Sequence, residues 1–198
     1  MLYLIGGAPR LGKSLIAKEL MRRTDCPWLA TDSLCAALTK MAGKRLPNLF
    51  PFKPFSSESS RLPTATVVHD QLTDAASMQK SIHAFLQYYE NSKEDCILEG
   101  MHLLPSSIAE WRSDTPHLQC VFLIDLNKDN VLRGIAANKE PSNWLRDAPE
   151  QTLHAVSDFS VALSEYLRAE SEKHHISFFE RTTDFRKDID AVINMLLR

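Results

Sequence analysis

The chain has 198 residues, of which 44% are hydrophobic, so it has the size and composition of one ordinary domain with its own core. Its formal charge of −2 provides no basic field for nucleic acids or anionic membranes, which excludes these partners and leaves only local phosphate binding. Because no stretch reaches the ~18 consecutive apolar residues of a membrane span and the N-terminus already forms a motif, we expect a cytoplasmic protein without a cleaved signal peptide.

The first predicted elements surround a glycine-rich turn. Residues 1–6 form a short apolar run before a glycine pair, which is typical of a buried parallel strand, and the spacing of residues 15–23 predicts a helix. Residues 27–30 predict a second strand, and residues 31–33 offer capping side chains for the next helix. Asp32 is thereby placed at the C-terminal end of a strand.

The middle of the chain combines an irregular segment with helical and strand patterns. Residues 43–63 contain four prolines, several serines and several aromatics, which predicts a long excursion over the site. Residues 66–89 have apolar positions at helical spacing and predict one long helix or two broken ones. Residues 96–100 predict a third strand followed by a turn, and residues 105–112 predict a short helix.

The C-terminal half continues the alternation of strands and helices. The patterns predict a strand at 118–125, a helix at 129–138, a polar loop at 140–149, a helix at 150–173, a strand at 176–179, and a helix at 185–197 that begins near Thr183 and Asp184. This alternation predicts an α/β fold with a parallel sheet covered by helices on both faces. Ligands of such sheets bind at the C-terminal ends of the strands. We find no internal repeat and expect a single domain over residues 1–198.

The strongest motif is a phosphate-binding loop between the first strand and the first helix. The sequence GAPRLGKS satisfies GxxxxGK[ST], in which glycines allow backbone N–H groups at a helix N-terminus to approach phosphate oxygens. We expect a lysine for the β- and γ-phosphates and a hydroxyl for Mg²⁺, and thus binding of ATP with Mg²⁺. The residues predicted to contact the nucleotide are Gly7, Ala8, Pro9, Arg10, Leu11, Gly12, Lys13, Ser14 and Leu15.

Carboxylates at strand ends are the candidates for the chemistry. Asp32 is placed to orient an acceptor hydroxyl and to accept its proton, with an ordinary helix cap as the alternative role and Thr31 and Ser33 as alternative residues. Glu99 ends an apolar strand and is a candidate for the metal and for substrate positioning. Asp125 also ends an apolar strand, so the pattern alone leaves both carboxylates open for the metal.

Basic residues and one histidine complete the candidate set. Arg133 and Arg146 are candidates to neutralise charge on the transferred phosphoryl group, with a surface position as the alternative. His102 follows the third strand and is a candidate for substrate contact. Four basic residues of the excursion are candidates for an anion pocket, with solvated loop charges as the alternative: Lys44, Arg45, Lys53 and Arg61.

Two patterns resemble known sites but lack part of the required spacing. Residues 127–130 resemble the guanine-binding NKxD box, but the fourth position is Asn and no DxxG precedes it, so we do not expect a switch GTPase. The cysteines lack CxxC or Cys/His spacing, so we expect reduced, small hydrophobic residues and no structural zinc. They are Cys26, Cys35, Cys96 and Cys120.

Together these motifs resemble those of the adenylate-kinase-like small-molecule kinases. The resemblance rests on GGAPRLGKS, on TDS after the second strand, on LEGMHLLP and on the late helix, loop and helix, and it spans nearly the whole chain. LEGMHLLP also resembles the EG-x-H segment of 2-phosphoglycerate-kinase-like proteins. The resemblance implies a three-layer P-loop fold with a five-stranded parallel sheet of order 2-3-1-4-5. It further implies a substrate-binding excursion at about 43–92 and a lid at about 139–149.

The resemblance also implies roles for individual residues. Lys13 and Ser14 become phosphate and metal ligands, and Asp32 becomes a carboxylate that binds the acceptor. Glu99 becomes the carboxylate on the strand beside the P-loop strand, which favours it over Asp125 for the metal.

The predicted function is that of an ATP-dependent kinase acting on a hydroxyl, or a phosphate, of a small metabolite. The lid of this chain departs from the resembled kinases, because it contains only Arg146, with Arg133 upstream. A nucleotide-dependent regulatory switch without acceptor-dependent turnover is therefore kept as the alternative. A kinase for a sugar nucleotide or an antibiotic is a third possibility.

Overall fold

A computed structural model describes residues 1–42, 58–138, 143 and 145–198. Residues 43–57 of the predicted excursion, including Arg45, and residues 139–142 and 144 of the predicted lid lie outside these residues. The elements in chain order are β1 (Leu2–Gly7), α1 (Lys13–Thr24), β2 (Trp28–Ala30), α2 (Thr31–Ala42), α3 (Thr64–Ser92), β3 (Cys96–Gly100), α4 (Pro105–Trp111), β4 (Leu118–Ile124), α5 (Lys128–Ala137), α6 (Glu150–Lys173), β5 (Phe178–Glu180) and α7 (Phe185–Leu196). A short 3₁₀ helix covers Ser59–Arg61.

The five strands form one parallel sheet in the order β2-β3-β1-β4-β5, with helices on both faces. This order and the three-layer P-loop fold confirm the prediction. Every residue of β1 and of β3 is buried, because a parallel strand with helices on both sides is covered on both faces. In this register Ile5 of β1 pairs with Glu99 of β3 and with Val121 of β4. The C-terminal ends of β1 and β3 therefore meet at one edge.

Helix α3 is one continuous helix of 29 residues. Its buried apolar positions recur at intervals of three to eight residues and form a stripe that faces the core: Val67, Ala75, Met78, Ile82 and Leu86. The sequence pattern was compatible with one long helix or with two broken ones. The helix is continuous because this apolar stripe is buried along it. In the described part of the chain, no helix is both long and apolar enough to cross a membrane.

Two predicted boundaries were wrong. Helix α2 begins at Thr31 itself, so residues 31–33 form its first turn and do not cap it from outside. The Thr31 side chain is fully buried and occupies the space that a Cβ on Gly100 would need. The first residue of α2 therefore packs directly against the end of β3. Strand β5 begins at Phe178, because the backbone N–H of Ile176 still donates to the end of α6.

Gly7 carries a backbone constraint that the fold cannot relax. Its φ is +136°, and a Cβ there would overlap the carbonyl oxygen of Leu123. We expect Gly7→Ala to lower the free energy of unfolding by at least ~2 kcal/mol, since strain and overlap add. Urea unfolding measures the effect.

The matched control is Gly134→Ala in α5, where the nearest atoms to a new Cβ are 3.5 and 3.6 Å away. This change is expected to raise stability by about 0.4–1 kcal/mol through the unfolded chain. Equal stability of Gly7→Ala and the unsubstituted protein would contradict the constraint.

Candidate active site

The P-loop joins β1 to α1 in an anion-binding conformation. Arg10 and Gly12 have left-handed φ values of 63° and 90°, which turn the chain sharply before Lys13, the first residue of α1. Among the described residues, no side chain caps α1. The first N–H groups of the helix are therefore available to a negatively charged ligand, and the helix dipole favours such a ligand.

Neighbouring elements hold the P-loop in place. The side chains of Ala8 and Leu11 are fully buried in the core, which leaves the backbone of the loop to face outward. Ser160 of α6 donates a hydrogen bond from its Oγ to the carbonyl oxygen of Pro9 at 3.1 Å. The ring of Phe185 occupies the space next to Gly12 where a Cβ would lie. The loop is thus supported by α6 and α7.

Lys13 lies across the P-loop. Its Nζ donates to the carbonyl oxygen of Ala8 at 2.7 Å, and the residue is only 8% exposed. Burial lowers the pKa of Lys13, whereas the negative charges of Glu99 and Asp32 act to raise it. A cation held over the glycine-rich loop at a helix N-terminus is an arrangement that binds a phosphate chain.

Glu99 and Ser14 form a pair of oxygen donors beside Lys13. Ser14 Oγ donates to Glu99 Oε1 at 2.8 Å, because Glu99 ends β3 and pairs with β1 and with β2 at Ala30. Burial raises the pKa of Glu99, although the charge of Lys13 and the hydrogen bond from Ser14 lower it. Two neighbouring hard oxygens with a nearby phosphate site fit Mg²⁺.

Asp125, the other candidate for the metal, makes structural hydrogen bonds with both of its carboxylate oxygens. Oδ1 accepts from the backbone N–H of Asn127 at 3.0 Å, and Oδ2 accepts from Asn130 Nδ2 at 2.8 Å. Asn127 in turn caps α5 through its side chain. Asp125 therefore organises the turn from β4 into α5, and this geometry favours Glu99 for the metal.

Asp32 lies at the surface of the site, with a buried histidine behind it. The Asp32 side chain is 62% exposed, and its Oδ1 lies 3.6 Å from His102 Nδ1. His102 is 1% exposed, with Nδ1 2.9 Å from Thr31 Oγ1 and Nε2 3.4 Å from Asp74 Oδ2. Burial lowers the pKa of His102, but hydrogen bonds to Asp74 and Cys35 raise it more, to about 9.

Two buried charged residues near the site, Asp74 and Arg181, were not predicted from the sequence. Asp74 on α3 is 7% exposed, and none of the described residues donates a hydrogen bond to its Oδ1, which costs about 1–3 kcal/mol for an unpaired buried group. The sequence signal that could have indicated Asp74 is a carboxylate next to the apolar stripe of α3. Arg181 follows β5, lies 3.8 Å from Asp188 and stacks at 4.6 Å on Phe185. No motif includes this arginine, so nothing in the pattern indicated it.

The arginines predicted for charge neutralisation are exposed. Arg133 donates from Nη2 to Asn130 Oδ1 at 3.0 Å, and the backbone N–H of Arg146 donates to the carbonyl oxygen of Asn143. Arg61 is exposed in the 3₁₀ helix. Within the described residues, these hydrogen bonds stay close in sequence and do not join the arginines to the P-loop.

Comparisons with known proteins give structural matches only. No family model matches the chain, and no curated protein matches it in sequence. A gluconokinase from Sinorhizobium meliloti 1021 shares 14% identity over 100% of this chain and 91% of its own, with a TM-score of 0.56. A shikimate kinase from Bacteroides thetaiotaomicron shares 14% identity over 100% of this chain and 99% of its own, with a TM-score of 0.55. A sugar kinase from Janibacter sp. HTCC2649 shares 12% identity over 99% of this chain and 91% of its own, with a TM-score of 0.54. The chain therefore shares the fold of these three kinases, a P-loop fold with a five-stranded parallel sheet.

Proposed function

We propose that this protein is an ATP- and Mg²⁺-dependent kinase that transfers the γ-phosphoryl group to a hydroxyl, or a phosphate, of a small metabolite. The observation that carries the proposal is the convergence of three groups at one sheet edge. The Lys13 ammonium, the hydrogen-bonded Ser14 and Glu99, and the exposed Asp32 carboxylate lie at the C-terminal ends of β1, β3 and β2. Phosphoryl transfer requires a phosphate cradle, a metal site and an acceptor site in this proximity.

Different residues of the chain contact the phosphates of the nucleotide and the metal ion. The backbone N–H groups of residues 7–15, other than Pro9, hold the phosphates, and Lys13 neutralises charge on the β- and γ-phosphate oxygens. Ser14 and Glu99 would hold Mg²⁺, which when bound supplies positive charge that stabilises the phosphoryl oxygens. Arg133 and Arg146 add positive charge from the lid side at 139–149.

Asp32 acts on the acceptor. Its exposed carboxylate orients the hydroxyl for in-line attack and accepts its proton. Glu99 and His102 lie behind this position and shape it, and Arg61 adds positive charge from the described part of the excursion at 43–92. The whole chain works as one P-loop domain in this proposal.

The experiment that tests the proposal is turnover of ATP with Mg²⁺ against a panel of hydroxylated and phosphorylated metabolites. Release of ADP and formation of the phosphorylated product are followed together. A product with one acceptor is the expected result, and a preference for sugar nucleotides or antibiotics would show as the acceptor class. Tight ATP binding with no acceptor effect across the panel would overturn the kinase and favour a regulatory switch.

The choice of Glu99 over Asp125 gives a separate prediction. Glu99→Gln is expected to raise the Mg²⁺ concentration for half-maximal turnover by about 10–100-fold, because it removes a charged ligand or its partner. Asp125→Asn is the matched control and is expected to lower thermal stability without changing this Mg²⁺ requirement. The reverse pattern, measured in the same Mg²⁺ titration, would assign the metal to Asp125.

A further inference from the structure

Cys35, Asp74 and His102 bring three kinds of metal-binding side chain together although they lie far apart in sequence. Cys35 is on α2, Asp74 is on α3 and His102 follows β3. One ligand atom from each lies within 4.8 Å of the others, and all three residues are buried. In the ranges that the structure describes, this is the only group of its kind. We propose that these three residues form a binding site for a zinc ion.

The donor set selects the metal. A thiolate, an imidazole nitrogen and a carboxylate oxygen match Zn²⁺, whereas Mg²⁺ and Ca²⁺ prefer sites built from oxygen alone. A neutral histidine with an ionised cysteine and an ionised aspartate also balances the two positive charges of the ion. The bound cluster is therefore neutral overall, which suits a site that is 7% exposed or less at each residue.

Asp74 provides independent support for a missing cation. Within the described residues, its Oδ1 is buried and has no hydrogen-bond donor, although its Oδ2 lies 3.4 Å from His102 Nε2. Buried carboxylate oxygens in native proteins nearly always have a partner. A zinc ion beside Cys35 and Nε2 would provide one.

The surroundings hold the histidine ring in the orientation that metal binding at Nε2 needs. Nδ1 lies 2.9 Å from Thr31 Oγ1, which accepts its hydrogen when Nε2 binds the metal. The carbonyl oxygen of His102 accepts a hydrogen bond from Gln79 Nε2 at 2.7 Å. A metal-bound histidine usually has its other nitrogen hydrogen-bonded in this way. The ion would tie α2 and α3 to the turn after β3, directly behind Asp32.

Zinc binding displaces protons from the cluster. Zn²⁺ binds a neutral imidazole nitrogen and a thiolate sulfur, so protons leave these ligands as the ion enters.

The test uses the full chain stripped of metal with a chelator and then dialysed. Zn²⁺ is titrated by calorimetry and counted by mass spectrometry of the metal, and Co²⁺ is used as an optical probe because a thiolate ligand gives a charge-transfer absorption. We expect one Zn²⁺ per chain, a Zn²⁺-dependent rise in Tm and a Co²⁺–thiolate band. A metal-free chain that binds no Zn²⁺ and shows no Co²⁺ band would overturn the proposal, whatever the variants do.

Variants assign the ligands. Cys35→Ala and Asp74→Asn are expected to weaken Zn²⁺ binding by more than about 100-fold, which exceeds the usual loss for a residue that only orients a ligand. Cys26→Ala removes a buried cysteine outside the cluster and is expected to bind as the unsubstituted chain does. Cooperative melting of each variant is checked first. Unchanged affinity in folded Cys35→Ala would overturn the site, and because no step uses ATP the result is separate from the kinase proposal.

Discussion

Lys13→Ala is expected to lower kcat/KM for ATP by about 10²–10³-fold, the loss that follows removal of one preorganised charge-stabilising donor. The Lys13 side chain is buried and bonded across the loop to the carbonyl oxygen of Ala8. Alanine leaves the loop backbone in place but removes the cation that we propose to contact the β- and γ-phosphates. Nucleotide affinity, measured by calorimetry with Mg²⁺, should fall together with turnover.

The matched control is Lys18→Ala on the same helix. Lys18 is exposed, and its Nζ lies 5.6 Å from the ring centre of Trp28, on the outside of α1. This variant has the same change in net charge and should keep full ATP affinity. Equal losses in the two variants would mean that net charge matters and that the position of Lys13 does not.

Asp32→Asn is expected to keep ATP affinity and to lower kcat by about 10²–10⁴-fold, the usual contribution of a general base. The amide has nearly the same shape as the carboxylate and can still contact an acceptor, but it accepts a proton poorly. Asp32 is exposed at the strand edge next to Glu99, so the substitution leaves the core intact. Single-turnover kinetics with the acceptor identified by the panel separate this effect from binding.

Asp70→Asn is the control for Asp32→Asn. Asp70 is an exposed carboxylate on α3, and its substitution removes the same charge from the protein. We expect unchanged kcat in this variant. Unchanged transfer in Asp32→Asn would remove Asp32 from the chemistry and leave Thr31 and Ser33 to be tested.

The predictions from sequence succeeded where the cause is local. The P-loop spacing places Gly7 and Gly12 at positive φ, and no other residue type takes these conformations at so little cost. The apolar runs at 96–100 and 118–125 became β3 and β4 because continuous apolar segments suit strands covered on both faces. The free, buried Cys96 and Cys120 within them were also predicted. The sheet order followed from the family resemblance and is confirmed.

The predictions from sequence were incomplete where segments that lie far apart in the chain come into contact. The pattern alone left Glu99 and Asp125 open as metal ligands, and it did not indicate that both carboxylate oxygens of Asp125 accept hydrogen bonds from Asn127 and Asn130. The choice of Glu99 for the metal stays a prediction. Nothing in the spacing indicated that Asp74 lies beside His102, because the contact depends on how α3 packs against the turn after β3.

The sequence by itself determined the strands, the helices and the phosphate loop, because each depends on residues within one turn or one strand of each other. Only the tertiary structure decided which polar groups become neighbours. Cys35, Asp74 and His102 belong to separate segments, and their donor atoms converge because α2 packs on β3 and α3 is hydrogen-bonded to the turn after β3. Such contacts depend on packing between elements, and no periodicity in a single segment encodes them.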